Sequence, residues 1–250
     1  MYRQAYHLIR EVTERIDHRG TVLVGLDPEE AGDEIRALFA EKVDVIAVCL
    51  FNSYANPAHE QAIGELIVGL APGVPVSLSS EVDPRIREYE RVSTTVLNAY
   101  AMPNVVGYID QLDRTVARTV HYMHSGGGIM RASDAKKFPV MLLQSGPAAG
   151  VLGAKVVGDS IGARNLITAD VGGTSFDVCV IRDGEPDAND QVDVEWGIPA
   201  RIQSIDVRSI GAGGGSIVGS TPAGRCGSLR AARGRFPAPY ATTPAARSRR

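Results

Sequence analysis

An α/β fold with mixed sheets covered by helices is predicted for this 250-residue chain by three observations. Helical and strand-like patterns alternate over the first hundred residues, as they do where helices cover a parallel or mixed sheet. The run Val43 to Phe51, VDVIAVCLF, is almost continuously apolar, as a strand buried on both faces requires. The segment Leu166 to Asp183, LITADVGGTSFDVCVIRD, reads as strand, glycine turn, strand.

Taken in order, Asp27-Pro28-Glu29-Glu30 is a helix start, with a capping carboxylate, proline at the first helical position and acidic residues in the first turn. Ala31, Ile35, Leu38 and Phe39 mark one face of that helix. After the apolar strand, Asn56-Pro57 starts a second helix carrying Ile63, Leu66 and Ile67, which ends before Pro72-Gly73. Val74 to Leu78 is the next strand, so one βαβ unit with a right-handed crossover is expected. From Pro84 to about Thr115 the pattern is helical, with Tyr89, Val92, Val96 and Tyr100 on one face. Pro103 is a candidate break, and Val105, Val106, Ile109 and Leu112 lie beyond it. A short strand, Thr119 to Met123, leads to Gly126-Gly127-Gly128, which reads equally as a cleft lining or a flexible loop. On a strand, His121 and His124 fall on opposite faces, and they are read as surface or packing residues.

The chemistry concentrates downstream. Asp170 and Asp177 flank a turn made by Gly172 and Gly173, with hydroxyls from Thr174 and Ser175. Glycines let backbone N–H groups approach an anion closely, whereas an acidic side chain beside the turn repels phosphate unless a cation lies between them. Asp170 and Asp177 are therefore candidate ligands of Mg²⁺, held by carboxylates together with nucleotide oxygens. The alternative is a plain β-hairpin whose Gly-Gly only turns the chain. Ser145-Gly146-Pro147-Ala148-Ala149-Gly150 opens a helix whose free amides form an anion site, or whose small residues simply pack tightly on a sheet. Ile210-Gly211-Ala212-Gly213-Gly214-Gly215-Ser216 follows the alternation Ile202 to Val207. It lacks the full dinucleotide spacing, so a glycine-rich, nucleotide-facing turn is the better reading.

With 44% hydrophobic and 22% charged residues, the chain has the composition of a globular protein with one or two cores. No apolar run reaches the roughly 20 residues that span a bilayer, and the first residues are amphipathic and charged, so a cytoplasmic protein without a membrane partner is expected. Cys49, Cys179 and Cys226 support neither a zinc site nor a disulfide framework. The net charge of −3 conceals an asymmetry: residues 219–250 hold seven arginines and no acid, which leaves the body at about −10. The tail is a nucleic-acid-binding arm, a low-complexity segment, or the product of an altered reading frame. The frame change is preferred, and nucleic acid is set aside as a partner because no basic patch precedes the tail in the body.

LLQSGPAAGVLGA, ITADVGGTSFDV and IDVRSIGAGGGS, in this order and spacing, resemble the hydantoinase A/5-oxoprolinase family. AVCLFNSYANPAHE, VSLSSEV and YERVSTTVLNAY are similar to the segments that precede the family's ATPase core. The resemblance covers residues 1 to 217 and implies an incomplete actin-like fold of the acetate-and-sugar-kinase ATPase type. It implies ATP and Mg²⁺ as cofactors and ATP-dependent opening of a small cyclic amide such as a hydantoin or 5-oxoproline. In some relatives it implies carboxylation of ketones instead, and a B-type subunit is the expected partner. By this resemblance Asp170, Gly172, Gly173, Thr174 and Asp177 match the second phosphate and metal loop, beside which Ser175 stands as a further candidate cofactor-binding residue. Ser145 to Gly150 and Gly211, Gly213, Gly214, Gly215 and Ser216 match the other nucleotide-side motifs.

Departures from the family pattern set further expectations. No Asp-x-Gly-Gly-Thr motif precedes Asp170, so half of the phosphate clamp is missing, and Arg208 stands where His is expected. The segment between Tyr108 and His124 is shorter than the pattern, and the ATPase continuation after Ser216 gives way to the basic tail. Residues 1–93 are assigned to the later part of the family's N-terminal region, 94–218 to a truncated ATPase-like domain and 219–250 to a disordered tail. An enzyme subunit and a non-catalytic, partner-binding remnant both fit this partial chain.

Overall fold

A computed structural model describes residues 6–195, 197–220 and 226–230, and the chain forms two units, residues 1–145 with 189–204 and residues 146–188 with 205–250. In the first unit, β1 (Arg15–Ile16) and β2 (Val22–Val24) pair antiparallel ahead of α1 (Pro28–Ala40). Asp27 caps α1 as its sequence requires, its carboxylate accepting from the Glu29 and Glu30 amides. β3 (Ile46–Val48), α2 (Ala58–Leu70) and β4 (Val76–Leu78) make the expected βαβ unit, with β3 and β4 parallel in the register Ile46↔Val76. Asn56 Oδ1 accepts from the Ala58 amide and so starts α2. Ala31, Ile35, Ile46, Val48, Ile63, Ile67 and Leu78 form the core between these elements, with Leu38, Phe39 and Leu66 packed against it.

β3 is shorter than the apolar run Val43 to Phe51, and Phe51 is exposed. The ladder ends because the Leu50 amide donates to the Glu60 carboxylate (2.8 Å) instead of to a strand. Glu60 is fully buried and also accepts from Ser79 Oγ (2.6 Å) and the Ser80 amide (2.7 Å), tying the ends of β3 and β4 to α2. Desolvation, then the neighbouring Glu60 charge, pushes the Cys49 thiol up to about 12, so its sulfur is a packing group and not a nucleophile.

After the single turn α3 (Ser79–Val82), α4 (Glu88–Thr115) runs unbroken through Pro103. The break expected there is absent: packing of α4 on β3, β4 and the segments around residues 132–142 outweighs one lost backbone hydrogen bond. The face marked by Tyr89, Val92, Val96 and Tyr100 turns outward and is exposed, whereas Arg91, Thr94, Thr95 and Asn98 are buried together with Ala99, Met102 and Ile109. Thr94 and Thr95 hydroxyls return to the carbonyls of Glu90 and Arg91. Asn98 donates to Ser77 Oγ and the Lys137 carbonyl and accepts from the Val140 amide. A buried polar face is tolerated when its groups are bonded in this way.

β5 (His121–Met123) and β6 (Ile129–Arg131) form a hairpin, followed by α5 (Ala132–Lys137). The Gly126-Gly127-Gly128 turn wraps the His124 ring, whose Nδ1 accepts from the Gly126 amide (3.1 Å). A Cβ at Gly126 would lie 3.1 Å from that ring, so these glycines serve local packing.

The second unit opens on α6 (Ser145–Ser160), which packs on an antiparallel sheet of β7 (Leu166–Val171), β8 (Phe176–Arg182) and β9 (Glu185–Pro186). The chain passes through β10 (Ala188–Asn189) to β11 (Val192–Glu195) and β12 (Ile198–Ala200), which pair with each other in the first unit. There Arg201 is held by buried Asp83 (2.6 Å) and by the Ile86 carbonyl (2.7 Å). β13 (Ser204–Ile205) leads back to β14 (Arg208–Ile210), which joins the free edge of β8 to give the order β14-β8-β7. β15 (Ser216–Ser220) pairs with β16 (Cys226–Arg230), so part of the segment expected to be disordered forms a hairpin; the rest of that expectation, 221–225 and 231–250, lies outside the described residues. Among the described residues no helix is long and apolar enough to cross a membrane.

The orientation of α4 has a measurable consequence. Asn98→Ala orphans buried partners and is expected to destabilise the chain by about 2–3 kcal/mol, whereas Val96→Gln stays within about 0.5 kcal/mol of the parent. Urea unfolding followed by circular dichroism reads both, and equal losses would contradict the observed orientation.

Candidate functional site

The β7–β8 hairpin places Asp170 directly opposite Asp177, one pair below Val171↔Phe176. Its turn is closed by the Gly172 amide on the Ser175 carbonyl (3.0 Å). Like charges directly opposite one another destabilise an antiparallel pair, and among the described residues no cation pairs with either carboxylate. A cation resting on both would remove that penalty. Among the described residues no three His, Cys, Asp or Glu side chains gather into a metal site, so such an ion needs oxygens from its ligand or from water.

The second glycine motif meets this turn. β14 pairs with β8 in the register Ser209↔Asp177 and Ile210↔Phe176, which delivers residues 211–215 onto Gly172 and Gly173. The Gly214 amide donates to the Gly172 carbonyl (2.9 Å), and the Gly213 amide to Ser216 Oγ (3.0 Å). A Cβ on Gly213 would lie 2.7 Å from the Gly172 oxygen, the Gly173 carbon and the Thr174 nitrogen, a separation that no side chain tolerates. The two motifs are thus one double loop. The amides of Gly172, Gly213 and Gly214 are spent inside it, whereas those of Gly173 and Thr174 enter no backbone hydrogen bond among the described residues. Gly173 and Thr174 are exposed residues, and an amide without a backbone acceptor at such a turn is suited to an anion.

Beside the hairpin lies a cavity of about 370 Å³, lined by Pro147, Gly150, Val151 and Ala154 of α6, Ile167 to Asp170 of β7, Asp177 and Val207. Gly150 lies against the Asp170 carboxylate: a Cβ there would be 3.9 Å from Oδ2. Ser145 and Gly146 open α6 ahead of the lining residues. Gly158, further along α6, leaves no room for a Cβ, which would lie 2.8 Å from the Ala163 carbonyl oxygen. The small residues of α6 therefore allow close packing and also border the cavity.

Asp177 is half-buried, and both its oxygens accept hydroxyls, Oδ1 from Ser209 and Oδ2 from Ser175 (3.3 Å). Asp170 is exposed. Ser209 escaped the reading of the sequence, because only the register of β14 on β8 puts it opposite Asp177. Arg208 is turned to Asp206 (2.9 Å).

Two carboxylates abreast, open amides at a glycine turn and a glycine loop packed without side chains form a donor set that fits a metal-bound phosphate chain. The α/β fold and this hairpin give the class, and comparison with known proteins gives the family. The hydantoinase/oxoprolinase family matches residues 91–241, and its N-terminal region matches residues 3–69. The chain belongs to that family. It is 33% identical over 219 residues to caprolactamase subunit alpha of Pseudomonas jessenii, covering 84% of this chain and 31% of that protein. It is 32% identical over 192 residues to 5-oxoprolinase of Saccharomyces cerevisiae, covering 74% and 14%. The crystal structure of the ATP-dependent caprolactamase superposes with a TM-score of 0.76 at 30% identity, covering 91% of this chain and 34% of that one. The nucleotide-free structure of acetone carboxylase, an enzyme of ATP-dependent acetone carboxylation, gives 0.74 at 30% identity, covering 89% and 32%. The expected actin-like ATPase fold class is thereby shown, and the chain spans about a third or less of the length of these relatives.

The double loop generates its own test. Gly213→Ala is expected to cost about 1–3 kcal/mol through overpacking, whereas Gly173→Ala, which meets nothing within 4 Å, is expected to leave stability close to the parent's. Thermal melts of the two variants check this, and a tolerated Gly213→Ala would refute the close approach.

Proposed function

We propose that the double loop around Asp170 is a nucleotide-phosphate site of a subunit that opens cyclic amides, such as hydantoins or 5-oxoproline, at the expense of ATP. The observation that carries this reading is the juxtaposition of Asp170 and Asp177 with two interlocked glycine loops. Family membership supports it, because both hydrolases of the 5-oxoprolinase and caprolactamase kind and an ATP-dependent carboxylase are relatives.

In this proposal Gly173 and Thr174 donate amides to phosphate oxygens, with Ser175 and the 211–215 loop as the wall behind them. Asp170 and Asp177 hold Mg²⁺, which when bound supplies charge neutralisation for the phosphates. The α6 N-terminus from Ser145 and Gly146 adds positive dipole to the same side of its own unit. Transfer of the terminal phosphoryl group of ATP to the amide oxygen, with ADP leaving, activates the carbonyl carbon for addition of water. The ring C–N bond then breaks with the nitrogen leaving as the amine, and a second water hydrolyses the resulting acyl phosphate to carboxylate and phosphate. The chain's part is positioning and charge stabilisation. A B-type subunit is the proposed partner, consistent with relatives that are named as subunits.

A second reading, a partner-binding subunit without ATPase activity, draws on the relatives that are named as subunits of larger assemblies. Calorimetric titration of the purified chain with ATP separates the two. The nucleotide-site reading predicts binding that requires Mg²⁺ and is lost in Asp170→Ala, whereas no heat at millimolar ATP would favour the non-catalytic reading.

A further inference from the structure

Three strands carry a row of polar side chains across the second unit: Asp170 on β7, Asp177 on β8 and Ser209 on β14, each directly opposite the next. The two carboxylates are not equivalent. Asp177 is held at both oxygens, by the Ser209 hydroxyl on Oδ1 and the Ser175 hydroxyl on Oδ2, while Asp170 accepts no hydrogen bond among the described residues. Four residues beyond Ser209 stands Gly213, whose packing on Gly172 to Thr174 leaves no slack for β14 to slide along β8. The Ser209 to Asp177 bond therefore sits where the orientation of one carboxylate and the arrival of the glycine loop are set together.

Resting on the nucleotide-site reading, we infer that Ser209 is a positioning residue of this site: it acts through Asp177, holding that carboxylate beside the free Asp170 so that a divalent cation meets both. A hydroxyl donor on one oxygen of a carboxylate leaves its other lone pairs in fixed directions, and outer hydrogen bonds of this kind decide how well a carboxylate ligand serves a metal. The competing role is that of an ordinary cross-strand polar pair, which contributes to the sheet and nothing more. The two roles predict different things, because a sheet contact affects folding, whereas a positioning bond affects cation affinity and is restored by any residue with a hydroxyl at the same place.

The test uses Mn²⁺ as a paramagnetic stand-in for Mg²⁺, titrated into the full chain with ATP and followed by electron paramagnetic resonance. Parent, Ser209→Ala, Ser209→Thr and Asp170→Asn are compared, with thermal melts of each in the absence of metal. Ser209→Ala is expected to weaken Mn²⁺ binding about tenfold, Ser209→Thr to stay within about twofold of the parent, and Asp170→Asn to remove binding. Equal affinity in parent and Ser209→Ala would overturn the positioning role and leave the nucleotide site standing. A Ser209→Thr variant as weak as Ser209→Ala would overturn it also, by showing that the hydroxyl is not what matters. No nucleotide-dependent Mn²⁺ binding by the parent would overturn the site reading and this inference together.

Discussion

The backbone at Gly213 lies so close to Gly172, Gly173 and Thr174 that no side chain fits between them, and the candidate site depends on that approach. It brings motifs some forty residues apart in sequence into one double loop and fixes which amides remain open. It also holds β14 on the edge of β8, where Ser209 faces Asp177. With β14 displaced, Asp177 loses a donor and the wall behind the hairpin turn is gone. The turn would then be an ordinary two-strand connection.

The first unit rests on a different principle, burial of polar groups that satisfy one another. Glu60 gathers Leu50, Ser79 and Ser80 at the ends of the parallel strands, and Asp83 and Arg201 hold the returning segment 189–204 onto the start of α4. Such networks add little net stability over an apolar core, but each member left alone is costly, so they specify one arrangement strongly. The orientation of α4 follows from the same logic: the face that can bond Ser77, Lys137 and Val140 goes inward, and Tyr89, Val92, Val96 and Tyr100 are left on the surface.

Much of this was legible in the sequence wherever a local rule decides the outcome. Asp27-Pro28 determines a helix start by itself, the β3–α2–β4 unit follows from apolar periodicity, and the Asp170 hairpin follows from the order of strand formers, Gly-Gly and strand formers. What escaped the sequence depends on partners distant along the chain. The apolar spacing of α4 pointed to a face without saying which way it turns, because Asn98 becomes an inward residue only once Ser77, Lys137 and Val140 surround it. Pro103 was a candidate break by propensity and is overridden by tertiary packing. Ser209 carries no signal of its own until the register of β14 on β8 is known. The resemblance to the hydantoinase/oxoprolinase family rested on the three glycine motifs, and two of them prove to be physically joined.

The central claim, that the double loop binds phosphate through its open amides, is tested most directly by ¹⁵N–¹H nuclear magnetic resonance of the chain during addition of ATP with Mg²⁺. The account predicts the largest amide shifts at Gly173 and Thr174, smaller ones at Gly172, Gly213 and Gly214, whose amides are already bonded, and loss of the effect without Mg²⁺. Shifts confined to residues of the first unit, or none at Gly173 and Thr174, would contradict it.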